Sequence, residues 1–359
     1  MMNITFIFNN DENNCYSKQL NLAYKLLKKK NKLIKKVSLN NFDESLLRNV
    51  DIIICNNLSD KHIKLIKKNK IISIGINNKY STKKYDISID FKGKENSIFS
   101  GQEYLIPKDL QSSFDFSALF NIVSYLKWDT NFWGFPVATI SSRKLTTSIL
   151  HRVNHFVKKN NIKLLQYLCN CHDRKSVYLA ENNDFKFKDI RITFEKLLDE
   201  TNYCNFVFDK GFRTAKKNEV LDIQNISTSL YKDSRYFFDE NFCRQKVQAF
   251  YKQWLYKSIH GVFDDLCLVL CINNRPVSYC TVKFYKQEKA IIGLFGVSKI
   301  HIGKGYGKKL LENVSAYLTS KKIKKIIVVT QGRNYKAQRL YQSQGFLTLR
   351  TELWYHKWV

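Results

Sequence analysis

The chain has 359 residues, 44% hydrophobic and 14% aromatic, with only 3 prolines. This composition excludes a disordered chain, and no apolar run approaches the ~20 residues a membrane helix needs. The formal net charge of +29 comes from dispersed lysines, such as Lys28–Lys30 and Lys321–Lys325, amid abundant asparagine and isoleucine. Nucleic-acid binding is therefore not expected, although the same field suits a small anionic substrate.

The first residues, Met1–Phe8, lack the basic start of a signal peptide and read as a strand over Ile4–Phe8, so a cytoplasmic protein is expected. Helix Ser17–Lys30, strand Leu33–Val37, the apolar run Asp51–Cys55 and helix Lys61–Lys68 follow. Strands Lys70–Ile74 and Asp86–Ile89 come next. Such alternation predicts an α/β domain, small and Rossmann-like, over residues 1–112, with a parallel sheet and helices on its faces. A second region, 113–202, opens with the aromatic phrase Trp128-Asp129 and Phe132-Trp133-Gly134. It continues as strand Ala138–Ser141, helix Thr147–Lys159, strand Leu164–Cys169, helix Lys175–Asn182 and strand Ile190–Glu195. The third region, 203–359, repeats this helix–strand–helix–strand order, and a turn before phenylalanine (Asp184-Phe185, Gly345-Phe346) precedes the last strand of each. The two regions read as related α/β units in tandem, the first without a glycine loop. The 9 cysteines are odd in number and lack paired ligand spacing, so neither a disulfide framework nor a metal site is expected.

The chemistry is concentrated in the third region. An apolar strand, Ile291–Val297, runs through a short loop into Gly303-Lys304-Gly305-Tyr306-Gly307-Lys308, where a helix starts. Such a turn aims main-chain N–H groups and a positive helix end at one point, which suits a phosphate or pyrophosphate. A second strand, Lys325–Thr330, then leads to a helix bearing Asn334 and Tyr341, closed by Gly345-Phe346. Seven residues is close to two helical turns, so Asn334 and Tyr341 share a face.

Together these segments resemble the coenzyme A site of the GNAT superfamily of N-acetyltransferases. The loop departs from that pattern where Ile302 stands in place of glutamine or arginine. The resemblance implies tandem GNAT-like units, the second catalytic, with acetyl-CoA as co-substrate. Main-chain groups of Phe295, Gly296 and Val297 would meet the thioester and its arm. The loop Gly303, Lys304, Gly305, Tyr306, Gly307 and Lys308 would hold the pyrophosphate, and Asn334 the pantetheine. Tyr341 would be the general acid for the departing thiolate, whose free-thiol pKa is about 8.5. The base is not identifiable: Glu288, Asp264 and Asp265 are the nearest acidic residues, and each reads as a solvated turn residue.

A closer resemblance covers residues 120–359. Ser234-Arg235-Tyr236-Phe237, Phe250–Leu255, Gly261–Asp264, Thr330-Gln331 and Leu353-Trp354-Tyr355 are similar to the TDP-fucosamine acetyltransferases of surface-polysaccharide synthesis. That implies N-acetylation of a nucleotide-linked 4-amino-4,6-dideoxyhexose. Trp128, Trp133, Tyr236 and Trp254 would form a sugar platform, and Arg235 or Arg244 would hold the diphosphate. Trp133, and Phe250-Tyr251 with Trp254 at helical spacing, also read as core. Residues 1–110, through Asp51–Cys55 and Tyr85–Asp90, resemble the N-terminal half of the UDP-sugar hydrolases of pseudaminic acid synthesis, which have a glycosyltransferase-B-like fold. The segment Glu12–Tyr16 lacks the glycines and histidine of their catalytic loop, which implies a degenerate scaffold. Two other readings stay open. One is transfer to another primary amine (peptide, polyamine or aminoglycoside), and the other a non-enzymatic fusion whose basic N-terminal unit binds nucleic acid. A homodimer is compatible with the sequence.

Overall fold

Isoleucine-rich runs flanked by polar residues build the first sheet, because β-branched side chains suit strands buried on both faces. The computed structural model describes residues 4–8, 24, 34–38, 47, 50, 52–55, 58, 60–69, 72–76, 87–90, 103–105 and 122–359 except 229 and 286–287. The chain divides into two compact units, residues 1–187 with 355–359, and residues 188–354.

In the first unit, β1 (Ile4–Phe8), β2 (Ile34–Ser38), β3 (Ile52–Cys55), β4 (Ile72–Ile76), β5 (Ile87–Asp90) and β6 (Glu103–Leu105) form one sheet in the order β2-β1-β3-β4-β5-β6. Every pairing in it is parallel, as the alternation of elements predicts. Helix α1 (Asp60–Lys68) buries Ile63 and Ile66 while Lys61, Lys64 and Lys68 face solvent, the helical period of an amphipathic face. These isoleucines close a core with Ile7, Leu47, Ile53, Cys55 and Leu58. The expected helix Ser17–Lys30, apart from Tyr24, lies outside the described residues.

The same unit then holds β7 (Val123–Tyr125), α2 (Lys127–Trp133), β8 (Val137–Ile140), α3 (Thr147–Lys159), β9 (Leu164–Asn170) and α4 (Arg174–Glu181). Thr146 caps α3 by accepting from Ile149 N at 3.2 Å, and Asp173 caps α4 by accepting from Ser176 N at 3.4 Å. Strand β8 stays paired with β9 to its last residue, Ile140 opposite Tyr167. The following loop is sealed by side chains: Tyr167 OH donates to Arg143 O at 2.9 Å, and Ser176 Oγ accepts from Leu145 N at 2.6 Å.

The second unit contains most of β10 (Lys186–Leu197), then β11 (Phe212–Thr214), α5 (Val220–Ser227), α6 (Arg244–Ile259), β12 (Leu266–Ile272), β13 (Arg275–Tyr285) and β14 (Lys289–Val297). It continues with α7 (Tyr306–Ser320), β15 (Lys325–Gln331), α8 (Tyr335–Ser343) and β16 (Leu347–Trp358). The strand order is β11-β12-β13-β14-β15-β10-β16, and β14 with β15 is a parallel pair among antiparallel neighbours. Helix α7 packs Leu310, Leu311, Val314 and Leu318 into a core with Cys280, Val282, Ala290, Ile292 and Val328. Residues 188–202, assigned to the middle region from sequence, belong to this unit because β10 pairs along Arg191–Leu197 with the whole of β15.

Candidate active site

The site begins where β14 leaves β15. Their parallel pairing covers only Lys289–Ile292 against Lys325–Val328, so Gly293–Val297 and Val329–Gln331 part company. At that point β14 bulges: Cys280 faces Phe295 and Val282 faces Ile292, two residues spanning three. Leu294 N–H turns to the Thr281 hydroxyl oxygen at 2.7 Å in place of a carbonyl. Gly293 is exposed at the fork, whereas Gly296 is buried. A side chain at Gly296 would collide with the Tyr279 ring, whose Cε1 lies 2.6 Å from a Cβ placed there.

Beyond β14 the chain turns on Gly303 and Gly305, both left-handed with φ of 81° and 82°. Gly305 is the N-cap of α7, and Lys309 N–H is bonded to Gly305 O at 3.0 Å. The first-turn amides of Tyr306, Gly307 and Lys308 precede that bond and point out of the helix end. Gly303 and Gly305 look into open space, with Lys304 and Lys308 exposed beside them. Gly307 is needed for contact: a Cβ there would lie 3.3 Å from Leu340 Cδ2 and 3.4 Å from Val297 Cγ2, which lets α7, α8 and β14 meet closely. Ile302 is exposed and lends no polar group to the loop.

Helix α8 brings Asn334 and Tyr341 to the fork. Asn334 is the N-cap, and its Oδ1 accepts from Ala337 N at 3.1 Å, so its side-chain amide N–H groups alone remain to donate to another molecule. Tyr341 is buried, its ring packed on Phe295 (6.2 Å), Phe194 (5.9 Å) and Phe346 (5.8 Å). Burial, and then the nearby Cys280 thiol, hold its phenol above the ordinary tyrosine value, so it keeps its proton through neutral pH. On the other face of β14, Tyr231 OH and Tyr279 OH share a hydrogen bond of 2.6 Å, and Tyr231 stacks on Tyr251 at 4.3 Å. Tyr231 holds a left-handed φ of 63°, uncommon for a bulky residue.

The residues expected to form a sugar platform do not gather as one surface of a unit. Trp128 and Trp133 belong to the first unit, where Trp128 stacks on Phe132 and Trp133 is buried. Tyr236 is core: it is 2% exposed and packs on Phe242 and Phe250. Trp254 packs among Phe250, Tyr251 and Phe263, as its helical spacing also allowed. Arg235 lies over the rings of Tyr236 (4.3 Å) and Trp354 (4.0 Å) and donates to Tyr236 OH at 2.8 Å. Arg244 lies over Phe237 at 5.2 Å.

Sequence reading missed a charged cluster near Arg235. Arg333 bonds Asp189 at 2.9 Å and Lys188 O at 2.8 Å while lying over Phe238 at 3.9 Å, and Lys188 pairs with Asp239 at 3.3 Å. Burial pushes the Asp189 carboxyl up to about 6 against the opposing pull of Arg333. The partners lie 144 residues apart in the chain, so spacing carried no signal of them. The acidic candidates also separate: Glu288 is exposed and paired with Lys324, and Asp265 accepts from Phe284 N at 2.6 Å, but Asp264 is buried, contrary to its reading as a solvated turn residue.

A splayed parallel pair, a bulge at the fork, a helix N-terminus opened by glycines and a buried phenol stand together in the second unit. Residues 227–346 match the acetyltransferase (GNAT) family, whose members use acetyl-CoA as co-substrate. Two curated relatives are similar. The dTDP-fucosamine acetyltransferase of Escherichia coli O6:H1 is 23% identical over 154 residues, covering 43% of this chain and 66% of the relative. The spore coat polysaccharide biosynthesis protein SpsD of Bacillus subtilis is 24% identical over 136 residues, covering 38% of this chain and 46% of the relative. Among solved structures, a GCN5-related N-acetyltransferase from Sphaerobacter thermophilus aligns with a TM-score of 0.46 at 13% identity, over 66% of this chain and 76% of that one.

Proposed function

We propose that the protein is an N-acetyltransferase that moves acetyl from acetyl-CoA to the amine of a nucleotide-linked amino sugar of the 4-amino-4,6-dideoxyhexose type, in the cytoplasm, for surface-polysaccharide synthesis. One observation carries the chemistry: the Tyr341 phenol packs against Phe295 on the arm of β14 that has left β15. The pyrophosphate takes the amides of Tyr306, Gly307 and Lys308, with Lys304 and Lys308 adding charge, and the Asn334 amide donates to the pantetheine. Main-chain N–H groups of Phe295–Val297 offer the oxyanion a preplaced donor. The thiolate leaves with the proton of Tyr341. The acceptor class is supported by the names of the two curated relatives and by Arg235, a cation suited to a diphosphate. Residues 1–112 serve as a Rossmann-like scaffold and 113–187 as a GNAT-like half without chemistry.

The deciding experiment incubates the protein with acetyl-CoA and a panel of nucleotide-linked 4-aminosugars, a polyamine, a peptide and an aminoglycoside, and follows CoA release. Release with the nucleotide sugars and not with the free amines is expected. Release with a free amine alone would move the acceptor to the other class.

A further inference from the structure

The sequence left the proton acceptor for the incoming amine unassigned, and the bulge in β14 points to one. Asp264 is 6% exposed, just before β12, yet it lies directly beneath exposed Gly293. A Cβ on Gly293 would stand 2.9 Å from Asp264 Oδ2, 3.0 Å from Asp264 Oδ1 and 2.9 Å from Thr281 Oγ1. The carboxylate thus occupies the place that a side chain on β14 would take at the first residue past the last β14–β15 pair. Ser258 on α6 holds it there, donating to Oδ2 at 2.6 Å. Thr281 completes the group by accepting Leu294 N–H, which keeps the bulge in register. Burying a carboxylate costs free energy unless it is hydrogen-bonded, and the Ser258 hydroxyl supplies such a bond. Gly293 is the residue that leaves it room, because a methyl group would displace it.

We propose that Asp264 is the proton acceptor for the acceptor amine, reaching the fork through the gap that Gly293 leaves. This rests on the acetyl-transfer reading above, though not on the identity of the sugar. The ammonium gives one proton to the Asp264 carboxylate, and the freed nitrogen pair forms the C–N bond with the thioester carbon. The C–S bond then breaks with its electrons going to sulfur, which takes the proton of Tyr341. The second nitrogen proton returns to the phenolate, and Asp264 releases its proton to water. The amine approaches from the Asp264 side of β14, opposite the side on which Phe295 packs against Tyr341.

The test compares the wild-type protein with Asp264→Asn on whichever amine of the panel above releases CoA, following release with acetyl-CoA from pH 6 to pH 10. At the low end the amine is protonated and needs a base; at the high end solvent has already freed it. The expected result is a loss of roughly 10²-fold or more at the low end, a far smaller loss at the high end, and an unchanged affinity for acetyl-CoA. Gly293→Ala, which crowds the carboxylate without removing it, should reproduce the same pH dependence. A loss equal across the range, or no loss at all, overturns the proposal. A free amine as the working acceptor, with the pH dependence still changed in the variant, would sink only the sugar assignment.

Discussion

Tyr341 combines a packing role with the general-acid role proposed for it. Its ring completes an aromatic core with Phe194 and Phe346, and the same burial keeps its phenol protonated. Replacing it with phenylalanine retains the ring and removes the proton. Turnover should then fall by roughly 10²-fold or more while acetyl-CoA binds as before, which steady-state rates and titration calorimetry would read. Equal turnover would remove the assigned role. Asp189 gives a prediction of opposite character. Its folded pKa of about 6 lies above the unfolded value of about 3.9. The folded state therefore binds the extra proton between pH 4 and 6, so the stability contributed by this group is present below that window and lost as pH rises through it. The melting temperature of Asp189→Asn should accordingly gain on wild type from pH 4 to 7; a constant difference would contradict the assignment. Residue types and spacing were enough to single out Tyr341 and Asn334, because both sit on one helix. They could not reveal the Asp189–Arg333 pair or the burial of Asp264, which depend on strands meeting from distant parts of the chain.

At the scale of elements, glycine placement governs the site. Gly303 and Gly305 turn the chain, whereas Gly307 permits α7 to approach Leu340 and Val297. Gly307→Val should force these apart, lowering the melting temperature and weakening acetyl-CoA binding together. Retention of both would show that the neighbours have room to move. The glycine loop was legible because a helix start between two strands leaves a local signature. The hairpin joining β12 to β13 was less so: its turn uses Asn273 and Asn274, both at positive φ, in place of the glycine usually sought. The bulge in β14 escaped. Gly293 is a hint, since a lone glycine inside a strand often marks a bulge, but the extra residue is defined only against the register of β13.

For the molecule as a whole, the two α/β halves after residue 122 differ in one physical respect. In the second, β14 and β15 part before either strand ends; in the first, β8 and β9 remain paired to the end of β8. The loop after β8 spends its groups on Tyr167 and Ser176. One acetyl-CoA per chain is the expected stoichiometry by calorimetry, and a second equivalent of similar affinity would show that the first half also opens. The absence of a glycine loop from residues 113–202 already suggested this asymmetry. What sealed the loop was beyond sequence reasoning, because Tyr167 and Ser176 read only as ordinary strand and helix positions.

The placement of β10 has a practical corollary for anyone trimming this gene. A fragment started at the boundary that the family match suggests would lack the strand that lies between β15 and β16, leaving raw backbone on both. The stretch that looks like a self-sufficient enzyme borrows its middle from residues written earlier in the message, and it would be born with a slot in its sheet.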